Sequence, residues 1–240
     1  MSSQHDSGAR FGLGSRSRLT RHHLDRFGGT TLFDRIGRAV ANAECLPRKE
    51  LFEVWEVAKR ARRHLRGGRV IDLAAGHGLM AQVMLLLDQS SEDAIAVDAR
   101  IPKSAAKLSR AISAEWPERA GRVSYVETSI HEPLPFELRP SDVIVSVHAC
   151  GDLTDRVIGL AAQAGASVVV LPCCHAEGKG DTGGLLGWVD GALAMDLMRA
   201  EGLRRAGYSV RTFKIPDEIT PKNRGLLGLG PGRGVRGKSD

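Results

Sequence analysis

Between Thr31 and Leu46 the apolar residues Leu32, Phe33, Ile36, Val40 and Ala43 recur at helical spacing, and Pro47 ends the run. This pattern predicts one amphipathic helix. A second begins near Pro47, carries Leu51, Val54, Trp55, Ala58, Ala61 and Leu65 along one stripe, and stops at Gly67-Gly68. After Gly68 the pattern changes to short β-branched runs separated by helical ones. Strands are predicted at Arg69–Leu73, Ala94–Val97, Arg122–Val126, Asp142–Val147, Ser167–Leu171 and Tyr208–Ile215, with a weaker seventh at Arg224–Leu229. Helices are predicted at Leu79–Leu87, Lys103–Trp116, Leu153–Ala164 and Trp188–Ala206. Such alternation specifies parallel βαβ units in an α/β fold.

Residues 1–29 are rich in Ser, Gly, Arg and His and read as a mobile basic arm. Residues 30–68 form a helical extension, 69–230 the α/β domain, and 231–240 a Gly-rich flexible tail. At 240 residues and 42% apolar content the chain is long enough to bury a sizeable core. Its apolar runs stop far short of the roughly 20 residues a membrane span needs, so the reading is a soluble cytoplasmic protein with no membrane partner. Cys45, Cys150, Cys173 and Cys174 are too few and too unevenly spaced for a disulfide scaffold.

Charge sharpens the choice of partner. Residues 1–69 carry 15 basic against 7 acidic side chains, residues 70–215 carry 14 against 18, and residues 216–240 carry 5 against 3. The basic excess is therefore local, and Lys59, Arg62, Arg63 and Arg66 beside the second helix could meet an RNA backbone or simply a solvated helix face. With 5% aromatic residues the chain lacks a stacking platform for single strands, which favours a folded RNA.

The first predicted strand ends Asp72-Leu73-Ala74-Ala75-Gly76-His77-Gly78, and a helix follows at once. Glycines there permit a sharp turn and close approach of a ligand at the helix N-terminus. Asp98, 22 residues after Gly76, ends the second strand where an acid accepts hydrogen bonds from both ribose hydroxyls. Gly76-His77-Gly78-Leu79-Met80-Ala81 also satisfies the dinucleotide GxGxxG/A string, so NAD competes. Asp72 suits a cationic amino group, and a helical segment precedes the first strand, and both favour S-adenosylmethionine (SAM).

These residues resemble the class I SAM-dependent methyltransferases over most of residues 47–229: Asp72, Gly76 and Gly78 match the DxGxGxG motif, with Ala74 at its first glycine. The resemblance implies a Rossmann-like, seven-stranded, mostly parallel sheet with helices on both faces and an N-terminal helical extension. It implies that Asp72 holds the methionine amino group, that Ala74, Gly76 and Gly78 make room for the cofactor, and that Asp98 binds the ribose. Ser129, with Ile130 beside it, stands where the family places its adenine contact. Pro47–Val54, Val147–Thr154 and Cys173-Cys174-His175 further resemble the subgroup that includes acceptor-stem tRNA 2′-O-methyltransferases and orphan relatives, with KKxHEV, HxCGxxT and CCH-type motifs; Phe52 replaces the histidine of the first.

Strands four and five are neighbours in such a sheet, which would bring His148, Cys150, Cys173, Cys174 and His175 to one edge beside the cofactor methyl. Three functional accounts are open. His148 is a general base partnered by Asp152 and touching the cofactor; Cys173 or Cys174 is a nucleophile; or the cluster binds zinc. Against them stands a purely structural account, with buried thiols and a backbone-bonded histidine. The adjacent cysteines argue against a metal, because successive strand residues face opposite ways. The Gly-rich loop Glu177–Gly187 is either a lid or a solvated connection. A small-molecule or protein methyltransferase, and a noncatalytic SAM- or RNA-binding module, are the rival functions.

Overall fold

The computed structural model describes residues 11–172, 175 and 180–232. Seven strands, Val70–Leu73 (β1), Ala94–Asp98 (β2), Val123–Glu127 (β3), Val143–Ser146 (β4), Ser167–Val170 (β5), Ser209–Lys214 (β6) and Arg224–Leu229 (β7), form one sheet in the order β3-β2-β1-β4-β5-β7-β6. β1 to β5 pair in parallel, and β7 lies antiparallel between β5 and β6. Helices are Leu32–Ala43 (α1), Arg48–His64 (α2), Leu79–Leu87 (α3), Ala105–Glu115 (α4), Asp152–Ala164 (α5) and Gly191–Arg205 (α6). The strand order reverses between β1 and β4, and a crevice opens at the carboxyl edge of such a switch point.

The strands are apolar on both faces because helices cover both. Val70 faces the same core as α1–α4 residues such as Leu51, Val54 and Leu108, whereas Ile71 and Leu73 join Val157, Leu160 and Leu203 of α5 and α6 on the other side. Asp72 lies between these positions, and alternation turns its side chain to the face of Val70, beneath α3. α1 stops three residues short of Leu46 because Glu44 turns left-handed (φ 51°) and closes the helix with its N–H on Val40 O.

Residues 11–29 differ from the expected mobile arm. Leu19 and Phe27 are buried, and a 3₁₀ turn at Arg21–Phe27 packs on α1. The segment is stapled across α2: Leu19 N–H donates to Leu46 O (2.9 Å), Arg48 N–H to Ser17 O (3.0 Å) and Lys49 N–H to Ser15 O (3.0 Å). Phe11 stacks over the Arg48 guanidinium at 4.1 Å and meets Phe52 edge-on. Few apolar residues suffice because each one is inserted. Residues 1–10 and 233–240 of the expected arm and tail lie outside the described residues.

Of the cations beside the second helix, Arg63 and Arg66 are exposed and Lys59 is half-buried, whereas Arg62 is internal. Arg62 is 2% exposed; it donates to Met84 O (3.1 Å) and Ser91 Oγ (2.8 Å) and lies 3.2 Å from Asp88. It bolts α2 to the α3–β2 connection. Arg62→Ala leaves Asp88 without this cation and carbonyls without donors, and is expected to cost about 3–5 kcal/mol, read as a lowered midpoint in thermal unfolding. No helix of the described residues is long and apolar enough to cross a membrane.

Candidate functional site

A cavity of about 340 Å³ opens at the β1/β4 switch point, lined by Glu50, Ala74, Gly76, His77, Asp98, Ser129, Ile130, His148 and Leu153 among others. That volume lies within the range of small-molecule sites, about 300–1,000 Å³. A larger cavity, about 420 Å³, lies between α6 and the β6–β7 hairpin. Its walls are mainly apolar, with Leu193, Leu197 and Leu226, and it holds neither the glycine loop nor the β2 acid.

The β1–α3 loop builds one wall of the first cavity. Ala74 (φ 57°) and Gly76 (φ 53°) both adopt left-handed backbone, and a Cβ at Gly76 would project into open space. Gly78 (φ 74°) does different work: a Cβ there would approach Tyr125 Cε1 to 2.9 Å, so this glycine seats the loop against Tyr125, whose hydroxyl donates to His77 O (3.2 Å). Asp98 ties the loop to β2, because its Oδ2 accepts from Gly76 N–H (2.8 Å) and its Oδ1 from Arg100 N–H (3.0 Å).

Asp72, to which the sequence assigns the methionine amino group, lies behind the cavity wall. It is 2% exposed, absent from the cavity wall, and its Oδ2 accepts from Ala81 N–H (3.1 Å) in the first turn of α3. The carboxylates at the wall are Asp98 of β2 and Glu50 of α2. The sequence motifs assign no role to Glu50. Its signal in the sequence is a charge on the apolar stripe of α2, four residues before Val54 and seven before Val57. Burial, reinforced by Glu53, pushes Glu50 up to about 7; burial, reinforced by Glu50 and Asp98, pushes Asp72 up to about 8.

These acids make stability fall with pH. A carboxyl raised in the folded state contributes stability below its unfolded pKa, and that contribution is lost as pH rises through the folded value. His148 opposes this only below about 6.5, so the window from pH 6.5 to 8 reports the raised carboxyls, Glu50 and Asp72 together with Glu53, which burial also raises. The melting midpoint of the ligand-free protein is expected to drop across that window, and Glu50→Gln to flatten the drop.

His148 also lines the first cavity, just past β4. Its Nε2 is buried and has no hydrogen-bond partner among the described residues, and burial aided by Lys49 lowers its pKa to about 4, leaving a neutral imidazole. The motif around it is structural: Gly151 (φ 62°, ψ −127°) takes a conformation that only glycine adopts readily, and Thr154 Oγ1 donates to Ala149 O (2.7 Å). The expected His148–Asp152 pair is not made. Asp152 begins α5 with its side chain 84% exposed and lies 3.7 Å from His131.

Nor does one pocket gather the predicted cluster. His175 lines a separate cavity of about 200 Å³, where its Nε2 meets Asp196 Oδ1 at 2.8 Å, and Asp196 is also bound by Arg224 (2.9 Å) and Arg199 (3.3 Å). Cys150 is exposed, and Cys173 and Cys174 lie outside the described residues. Among the described residues no three metal-ligating side chains converge. Of the Glu177–Gly187 loop, Gly180 and Gly183 lie directly against Met195 and Met198 of α6.

The first cavity fits SAM. Space over Gly76 admits a ligand against the backbone, the β2 acid suits a ribose diol, and the acid-rich wall of Glu50 and Asp98, with Asp72 behind it, suits a molecule bearing sulfonium and ammonium charges.

Several solved structures share this fold. An O-methyltransferase family protein from Burkholderia thailandensis has a similar fold (TM-score 0.50, 20% identity, 90% of this chain and 64% of that one), so the chain spans less than two thirds of its length. A candidate rRNA methylase from Clostridium thermocellum is similar at a TM-score of 0.52 and 11% identity, over 74% of this chain and 94% of that one. A candidate O-methyltransferase from Nostoc punctiforme gives 0.51 and 14%, over 86% and 66%. At these identities the likeness shows the fold alone. No curated protein matches the sequence. The profile of the family described as a methyltransferase domain matches residues 49–180, more than half of the chain, and the protein belongs to that family of SAM-dependent enzymes.

Proposed function

We propose that the protein transfers a methyl group to an oxygen or nitrogen of RNA, with His148 as the acceptor-side base. The observation that carries the catalytic half is the unpartnered, neutral imidazole of His148 in the same cavity as Asp98 and Gly76. Asp98 would bind the ribose, Gly76 and Ala74 make room for the cofactor, Ser129 and Ile130 flank the adenine, and Glu50 faces the cationic end. When bound, SAM supplies an electrophilic methyl whose carbon–sulfur bond breaks as the acceptor's lone pair forms the new bond. His148 takes the proton that the acceptor sheds. A pKa near 4 suffices, because the acceptor hydroxyl becomes strongly acidic only as its oxygen takes on positive charge. Most of the protein's contribution is then positioning, with Leu153 and Ile130 closing the apolar side of the cavity.

RNA as the acceptor is supported by the basic excess of the N-terminal third, 15 Lys and Arg against 7 Asp and Glu. The deciding measurement uses SAM labelled on the methyl group, offered in parallel with folded RNA, protein and metabolite extracts. Label is expected in RNA; label confined to either of the other pools overturns the RNA reading and leaves the cofactor site standing.

A further inference from the structure

The cations of the N-terminal third and its surroundings divide into two populations. Arg35 and Arg62 bond to internal carboxylates and carbonyls, and Arg38 donates to Phe27 O and Gly29 O (2.7 Å for the latter). Arg16, Arg18 and Arg21 on the N-terminal strap, and Arg100, Lys103 and Lys107 around the start of α4, are exposed, and no described carboxylate forms an ion pair with them. Glu44, the acid beside the strap, accepts from Arg21 N–H (3.3 Å) and neutralises none of the side chains.

The two groups are neighbours in space, although about 80 residues separate them in sequence. The strap pairs with the α1–α2 connection through the Arg18–Pro47 bridge, and α1 packs on both the strap's 3₁₀ turn and α4. Arg18 and Lys107 both bear on the Cys45 thiol between them. The surface also borders the cofactor cavity. His77 Nε2 meets Ser104 Oγ at 2.9 Å ahead of α4, and Arg100 donates its N–H to Asp98.

We infer that these six cations form one docking surface for the phosphate backbone of a folded RNA, placed beside the cavity that receives the acceptor nucleotide; this rests on the RNA reading above. Unpaired arginines and lysines spread along a rim suit a chain of phosphates, whose binding is carried by such cations and releases counterions. An internally satisfied arginine such as Arg62 contributes nothing to it.

The test uses the full chain with bulk tRNA as the probe and a titration of salt. A charge reversal of Arg18, Lys103 and Lys107 to Glu is compared with the same reversal of Arg119, Arg122 and Arg139, which lie at the amino edge of the sheet. The first variant is expected to lose at least about tenfold in tRNA affinity, and its salt slope to shrink by about 2 to 3, with SAM affinity unchanged. The second is expected to lose much less. Equal losses in the two variants, or no loss in the first, overturn the surface while RNA binding by the native protein stands. No tRNA binding by the native protein overturns the RNA reading and the surface with it, and binding of an acidic protein fraction in its place identifies a different partner.

Discussion

Asp98→Ala is expected to reduce SAM affinity by at least about a hundredfold, since it removes a charged acceptor from the ribose and frees two backbone donors at once. The carboxylate is a junction: Oδ2 holds Gly76 N–H at 2.8 Å and Oδ1 holds Arg100 N–H at 3.0 Å. Gly76 sits at φ 53° on the wall where the ligand would lie, so losing its anchor loosens the loop as well as the diol contact. Asp98→Asn separates the two effects. Its carbonyl can still accept from Gly76, so the loop is retained while one of the ribose acceptors becomes a donor; an intermediate loss is expected. Isothermal titration with SAM and with its neutral thioether product reads both. The ribose is common to the two ligands, so both should weaken together, and native affinity in Asp98→Ala would remove the β2 acid from the site.

How much of this was legible in the sequence depends on the range of the interaction. The βαβ order, the β1–α3 glycine loop and the 22-residue step to Asp98 follow from local periodicity and turn chemistry, and the cavity assembles from them. The strap was not legible, because its stability comes from partners tens of residues away, such as Phe11 on Arg48 and Leu19 on Leu46. The position of Glu50 was hidden for a related reason. Motif spacing fixes where a carboxylate starts, whereas strand alternation sends Asp72 under α3 and the packing of α2 brings Glu50 to the wall. His148 and His175 likewise follow adjacent strands, yet their side chains enter different cavities, and His175 is held by Asp196 of α6, an element whose approach no local pattern encodes.

His148→Ala is expected to lower kcat by about 10²- to 10⁴-fold, the range of a positioned acid–base group. SAM affinity should change little, because Asp98, Gly76 and Glu50 remain. The structural alternative makes a different forecast. A histidine that held the fold through hydrogen bonds would leave broken partners behind, whereas Nε2 of His148 has none among the described residues, so the alanine variant should melt near the native midpoint. The pH profile gives a third readout. A free histidine would produce an acid limb near pH 6.5, but burial and Lys49 hold this one near 4, so the rate should stay level from pH 7 down past 6 and fall only as the imidazole is protonated nearer 4. Single-turnover methyl transfer with pre-bound SAM measures the step directly. A variant that turns over at the native rate would show that the proton leaves by another route.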